Sequence, residues 1–176
     1  IVFWSKNPKP LLPYLETLNK KGINCYIQFT LNDYEKEGLE RGVPPLNERI
    51  ETFKLLVNKL GKGKVIWRFD PLILIENQIT VNDLLAKAKN IGDQLKGYTE
   101  KMVFSYADID SYHKVKSNLV KNAISYRNFE DNDMLQFAQG VSELNKSWKY
   151  KLATCGEKID IEQFKINSSR DSAEFF

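Results

Sequence analysis

The stretch Val65-Ile66-Trp67-Arg68-Phe69-Asp70-Pro71 decides the fold. It is a short run of β-branched and aromatic residues, entered from Gly61-Lys62-Gly63-Lys64 and left through Asp-Pro; such a run reads as a β-strand. Its apolar residues are nearly continuous, as in a parallel strand covered on both faces. Arg68 and Asp70 lie two apart, so both project from one face of that strand. A charged pair in an apolar strand needs partners, because an unpaired buried charge costs several kcal/mol.

Working outward, similar runs recur at residues 1–5, 24–30, 101–106 and 151–155. Each is followed by a segment of helical period. In 46–60 the residues Leu46, Ile50, Phe53, Val57 and Leu60 form one stripe, with Asn47, Glu48, Glu51, Lys54 and Asn58 opposite. Thr80 and Asp83 form a capping box with Asp in place of Glu; Leu84, Ala88, Ile91 and Leu95 follow on one face, and Gly97 supplies a left-handed stop. Further helices are predicted over 10–21, from Asp110 or Ser111 through Val115 and Leu119, and over about 132–148. Crossovers of this length suit parallel strands. The expected fold is α/β, a mainly parallel sheet of about five strands with alternating helices, part of a TIM-like barrel. It forms a single domain over 1–176. The chain opens on Ile1 without an initiator Met, in what reads as the middle of a strand, so it reads as a fragment lacking terminal segments.

Composition excludes several classes. Charged residues are 28% and apolar residues 42%, within the range of globular proteins and away from disorder, collagen or coiled coil. The longest apolar runs have four residues, far short of the roughly 18 that span a bilayer, so no membrane span is expected. Lys plus Arg exceeds Asp plus Glu by three; that weak excess disfavours a nucleic-acid surface without excluding one. Cys25 and Cys155 are too few for a disulfide framework and point to the cytoplasm.

In parallel α/β folds, ligands bind at the carboxyl ends of the strands. Those ends carry Lys6 and Asn7; Gln28, Thr30 and Asn32; Arg68 and Asp70; Ser105 and Asp108; and Thr154, Cys155 and Glu157. Lys6 and Arg68 suit a carboxylate or phosphate. Gln28, Asn7 and Thr30 orient a ligand, and Asp70 fixes Arg68 or handles a proton. The structural alternative is that Arg68 pairs with Asp70 or another acid and Lys6 reaches to water. Asp108 and Glu157 read as solvated or capping residues. Residues 31–45 form a long loop that reads either as a lid or as a solvated excursion rich in Glu and Lys.

Other signatures are missing. His113 is the sole histidine, so metal clusters and Ser-His-Asp triads are weakly supported. No phosphate-loop or dinucleotide motif occurs, and no metal ligand is assigned.

Phe3-Trp4-Ser5-Lys6-Asn7-Pro8, Tyr26-Ile27-Gln28-Phe29-Thr30-Leu31-Asn32, Val43-Pro44-Pro45 with Glu48-Arg49-Ile50, and the Val65 to Pro71 stretch follow one another in order. Together with Leu95-Lys96-Gly97-Tyr98-Thr99 and Thr154-Cys155-Gly156-Glu157 they resemble the domain of unknown function 1848 family. The resemblance implies a barrel-type α/β protein without a settled activity. It also implies a C-terminal C-x3-C-x2-C cluster, similar to the iron–sulfur motif of radical S-adenosylmethionine enzymes. This chain has no such triplet, so an iron–sulfur cofactor is expected only if a downstream cysteine motif exists. The expected function is an anion- or small-molecule-binding pocket of an enzyme. The alternative is a non-catalytic binding or scaffold domain, associated with nucleic acid.

Overall fold

The computed structural model describes residues 1–111, 113–155 and 161–169. In chain order the strands are β1 (Val2–Ser5), β2 (Tyr26–Thr30), β3 (Val65–Leu72), β4 (Leu74–Ile75), β5 (Lys101–Tyr106), β6 (Tyr126–Arg127), β7 (Lys151–Cys155) and β8 (Ile166–Ser169). The α-helices are α1 (Leu15–Lys20), α2 (Leu46–Leu60), α3 (Val81–Leu95), α4 (His113–Lys121) and α5 (Asp131–Trp148).

Six strands form one sheet in the order β1-β2-β3-β5-β7-β8, parallel throughout. The sheet is open, with β1 and β8 at its edges. The five expected strands are all present. The sixth, β8, and a small antiparallel pair, β4 with β6, are additions to the sequence reading.

Local signals account for the helices. Thr80 and Asp83 make a reciprocal capping box at α3. Gly97, beyond its end, has φ of +84°, the left-handed stop that its position required. The segment after β1 begins as a 3-10 turn, Lys9–Tyr14, since its prolines remove donors, and becomes α-helical only at α1.

The helices do not cover both faces of the sheet, which corrects the expectation of a sheet wrapped on two sides. Residues alternate along each strand. Ile27, Phe29, Val65, Trp67, Phe69, Met102, Phe104 and Leu152 all join the main core, where α1, α2, α3 and α5 deliver their buried residues. The Trp67 and Phe69 ring centres sit 5.7 Å apart there, and Phe137 of α5 stacks on Phe69 at 6.4 Å and meets Phe104 edge-on at 5.2 Å. The opposite face holds only a small apolar group, Ile66, Val103 and Ala153, with Tyr26 against it. The continuous apolar runs misled because Arg68, Gln28 and Thr30 stand at the alternating positions on that second face.

The loop of residues 31–45 is no solvated excursion. Asn32, Tyr34 and Glu40 are buried, because α2 and α3 each send a cation to meet it. Arg49 of α2 donates to Glu40 through both terminal nitrogens, at 3.2 and 2.9 Å. Lys87 of α3 pairs with Glu37 at 2.9 Å and donates to the Asp33 carbonyl at 2.6 Å.

Candidate functional site

Strand register brings four side chains together on the face away from the helices. Trp4 is the register partner of Gln28, and Thr30 that of Arg68. Arg68 is 4% exposed, and hydrogen bonds satisfy it as a buried charge requires. Its Nε donates to Asp70 Oδ2 at 3.0 Å, one terminal nitrogen donates to the same oxygen, and the other donates to Gln28 Oε1 at 2.6 Å. The guanidinium lies 4.0 Å from the centre of the Trp4 ring, a cation–π contact. Trp4 Nε1 donates to Thr30 Oγ1 at 2.9 Å, which fixes the indole plane.

The end of β3 is held as carefully as its side chains. A cis peptide joins Asp70 to Pro71. Asn32 Nδ2 donates to the Asp70 carbonyl at 2.9 Å, and the Tyr34 hydroxyl donates to the Pro71 carbonyl at 3.0 Å. Burial pushes the Tyr34 hydroxyl well above the usual tyrosine range, so it remains a donor at all ordinary pH. The 31–45 loop thus braces the strand that carries Arg68 and Asp70.

These groups open onto a cavity of about 560 Å³ at the carboxyl ends of the strands, a volume typical of small-molecule sites. Lys6, Thr30, Arg68 and Asp70 form its polar part, while Pro71, Ile73, Ile109 and Val115 form an apolar wall. Ser105 and Cys155 line it as well.

Lys6 is part of a second network. Its Nζ lies 3.3 Å from Glu40 Oε1, the carboxylate that Arg49 also holds. Glu40 accepts from the Tyr34 backbone N–H at 3.1 Å as well, and Arg49 reaches Glu35 at 3.3 Å. Asp33, close by, is raised above its ordinary value first by burial; Lys87 opposes the shift, and Glu35, Glu37 and Glu40 add to it.

Of the candidates named from sequence, Lys6, Thr30, Arg68 and Asp70 line the cavity, and Gln28 reaches it through Arg68. Asn7 does not. It is exposed, and its Oδ1 accepts from the Lys9 backbone N–H at 3.4 Å, so it serves the turn after β1. Thr154 is buried in register with Phe104, on the helix-covered face. Asp108 is an exposed turn residue that accepts from the Ser111 hydroxyl at 2.6 Å, while Glu157 lies outside the described residues.

Sequence reasoning overlooked Glu40 and Arg49. A signal existed for Arg49, which stands four residues before Phe53 and seven before Leu56 on the buried side of α2. The described residues do not fit a metal cluster. None of their His, Cys, Asp and Glu side chains group in threes suited to a metal, and Cys25 and Cys155 stand at opposite ends of the parallel sheet. Among the described residues no helix is long and apolar enough to cross a membrane.

A protein-family model described as a domain of unknown function (DUF1848) matches residues 1–171 of the 176-residue chain. No curated protein matches it.

Proposed function

The chain belongs to the DUF1848 family, and from that premise we propose that it forms the small-molecule-binding part of an enzyme, with an anion-accepting pocket at the carboxyl ends of its strands. The sheet is read as an arc of a TIM-like barrel. Its strands run in sequence order, without the reversal that marks a doubly wound sheet, and its core helices lie on one face. In such barrels the carboxyl ends of the strands bear the site.

One observation carries the reading: Arg68, buried against Trp4 and bonded to Asp70 and Gln28, opens onto the cavity. A buried ion pair adds little stability over apolar residues of the same volume, so its presence at the cavity is better explained by a ligand. In this scheme Lys6 and Arg68 hold negative charge, Gln28 and Asp70 fix the guanidinium plane, and Thr30 fixes Trp4. Asp70, on the cavity wall, is the group placed to take a proton from the ligand. The two free thiols suit the cytoplasm.

Nuclear magnetic resonance tests this directly, because the indole N–H groups of Trp4, Trp67 and Trp148 have different acceptors. Titration with acetate, benzoate and inorganic phosphate is expected to shift the Trp4 signal saturably for at least one of them, leave the other two still, and lose the effect in Arg68→Met. If Trp4 does not move, or moves equally in a folded Arg68→Met, the pocket is not an anion site.

A further inference from the structure

We infer that the ligand is a monoanion with a flat apolar body, an aromatic or heteroaromatic carboxylate, and not a phosphate ester; this rests on the pocket reading above. Among the residues that line the cavity the cations are Lys6 and Arg68 and the anion is Asp70, while Glu40, which touches Lys6 from behind, is itself held by Arg49. Two positive charges against one negative leave a surplus of one, which matches a monoanion and falls short of a group carrying two or more. Each further ionised oxygen would be desolvated against Pro71, Ile73, Ile109 and Val115 without a counter-charge, at a cost of several kcal/mol.

A single carboxylate meets a different situation. Each of the three Arg68 nitrogens makes one hydrogen bond within the Gln28 and Asp70 set. Each terminal nitrogen bears two protons, so one N–H on each is left for a ligand. Lys6 contributes a second cation at the rim, with its side chain 40% exposed and one contact to Glu40. A planar fork beside an ammonium suits a carboxylate.

The flat body follows from Trp4. The residue is 62% exposed, yet its ring is held by the Thr30 hydrogen bond and the Arg68 stack. A large apolar surface fixed in advance costs little conformational entropy on binding. With Pro71, Ile73, Ile109 and Val115 lining the same cavity, it offers apolar surface for a ring more readily than a shell for a hydrated phosphate.

The experiment titrates the intact chain with benzoate, indole-3-acetate, acetate and pyrophosphate. It follows the Trp4 indole signal and the alkylation rate of Cys155, which is exposed on the cavity wall, with buried Cys25 as internal control. The aromatic carboxylates are expected to bind at least about tenfold more tightly than acetate or pyrophosphate and to slow Cys155 alkylation. Lys6→Met, at a partly exposed position that leaves Glu40 paired with Arg49, is expected to weaken them several-fold and to have no effect on benzamide. Tighter binding of pyrophosphate overturns the carboxylate, equal binding of acetate and benzoate overturns the flat aromatic body, and either leaves the pocket standing. No response to any probe overturns both.

Discussion

The two faces of one sheet follow opposite rules, although the same strands build both. Toward the helices, Trp67, Phe69, Phe104 and Phe137 make an aromatic core, and stability there comes from apolar area and dispersion. Toward the cavity, alternate residues of those strands are Gln28, Thr30, Arg68 and Asp70, each buried and each in a hydrogen bond. Burial on that side brings little net stability, because desolvation offsets the pairing. One face therefore holds the fold together, and the other is kept polar at some expense to it.

The largest effect that would test this contrast is on the helix side. Phe69→Ala is expected to lower stability by about 3–5 kcal/mol, read as a fall in the urea midpoint with an unchanged slope. A loss below about 1 kcal/mol would mean that the aromatic face is not the main source of stability.

Next is the polar face. Arg68→Met alone leaves Asp70 buried without its cation and is expected to cost about 3 kcal/mol. Arg68→Met with Asp70→Leu removes both charges and is expected to recover most of that loss while abolishing any ligand response. If the double variant is as unstable as the single one, the pair is structural and the contrast between the faces fails.

Gly92→Ala probes how tightly the helix side is built. A Cβ at Gly92 would come within 2.4 Å of the Trp148 ring, so α3 and α5 would have to part, at about 1–3 kcal/mol. Near-neutral stability in thermal melts would show that Trp148 yields easily.

The smallest effect concerns acid. The Asp93 carboxyl is held below its ordinary range first by the Lys89 ammonium and then by the Trp148 indole N–H. A folded value below the unfolded one gives stability that is present above the unfolded pKa, about 4, and is lost as pH falls through the folded one. Asp93→Asn should therefore flatten the stability profile below about pH 4. The Asp93 side chain is 45% exposed, and solvent screening keeps the change under about 1 kcal/mol. An unaltered acid limb would show that the contact adds nothing.

Much of the helix-side architecture was legible in sequence, because periodicity and caps are local. The stripe from Leu46 to Leu60, the Thr80 and Asp83 box and the stop at Gly97 are each written in a few consecutive residues. The polar cluster was half legible: spacing put Arg68 beside Asp70 and Gln28 beside Thr30, while only strand register places Trp4 over the guanidinium. Strand β8 was hidden, since Ile-Asn-Ser-Ser has one apolar residue and pairs only because β7 offers it an edge. The solvated reading of the 31–45 loop fails for the same reason in reverse. Its acids look solvated until α2 and α3, distant in sequence, bring Arg49 and Lys87 to them.

The strand order has a further consequence, in the currency of synthesis. A chain leaves the ribosome at about 5–20 residues per second, first residue first. In this molecule every strand of the large sheet lies beside the one made just before it, so the growing edge is always the newest strand. A sheet whose order reverses must hold an early edge open until a late strand returns to it. Here each new strand finds its neighbour already in place, and the growing edge waits only for the synthesis of one crossover before the next strand covers it.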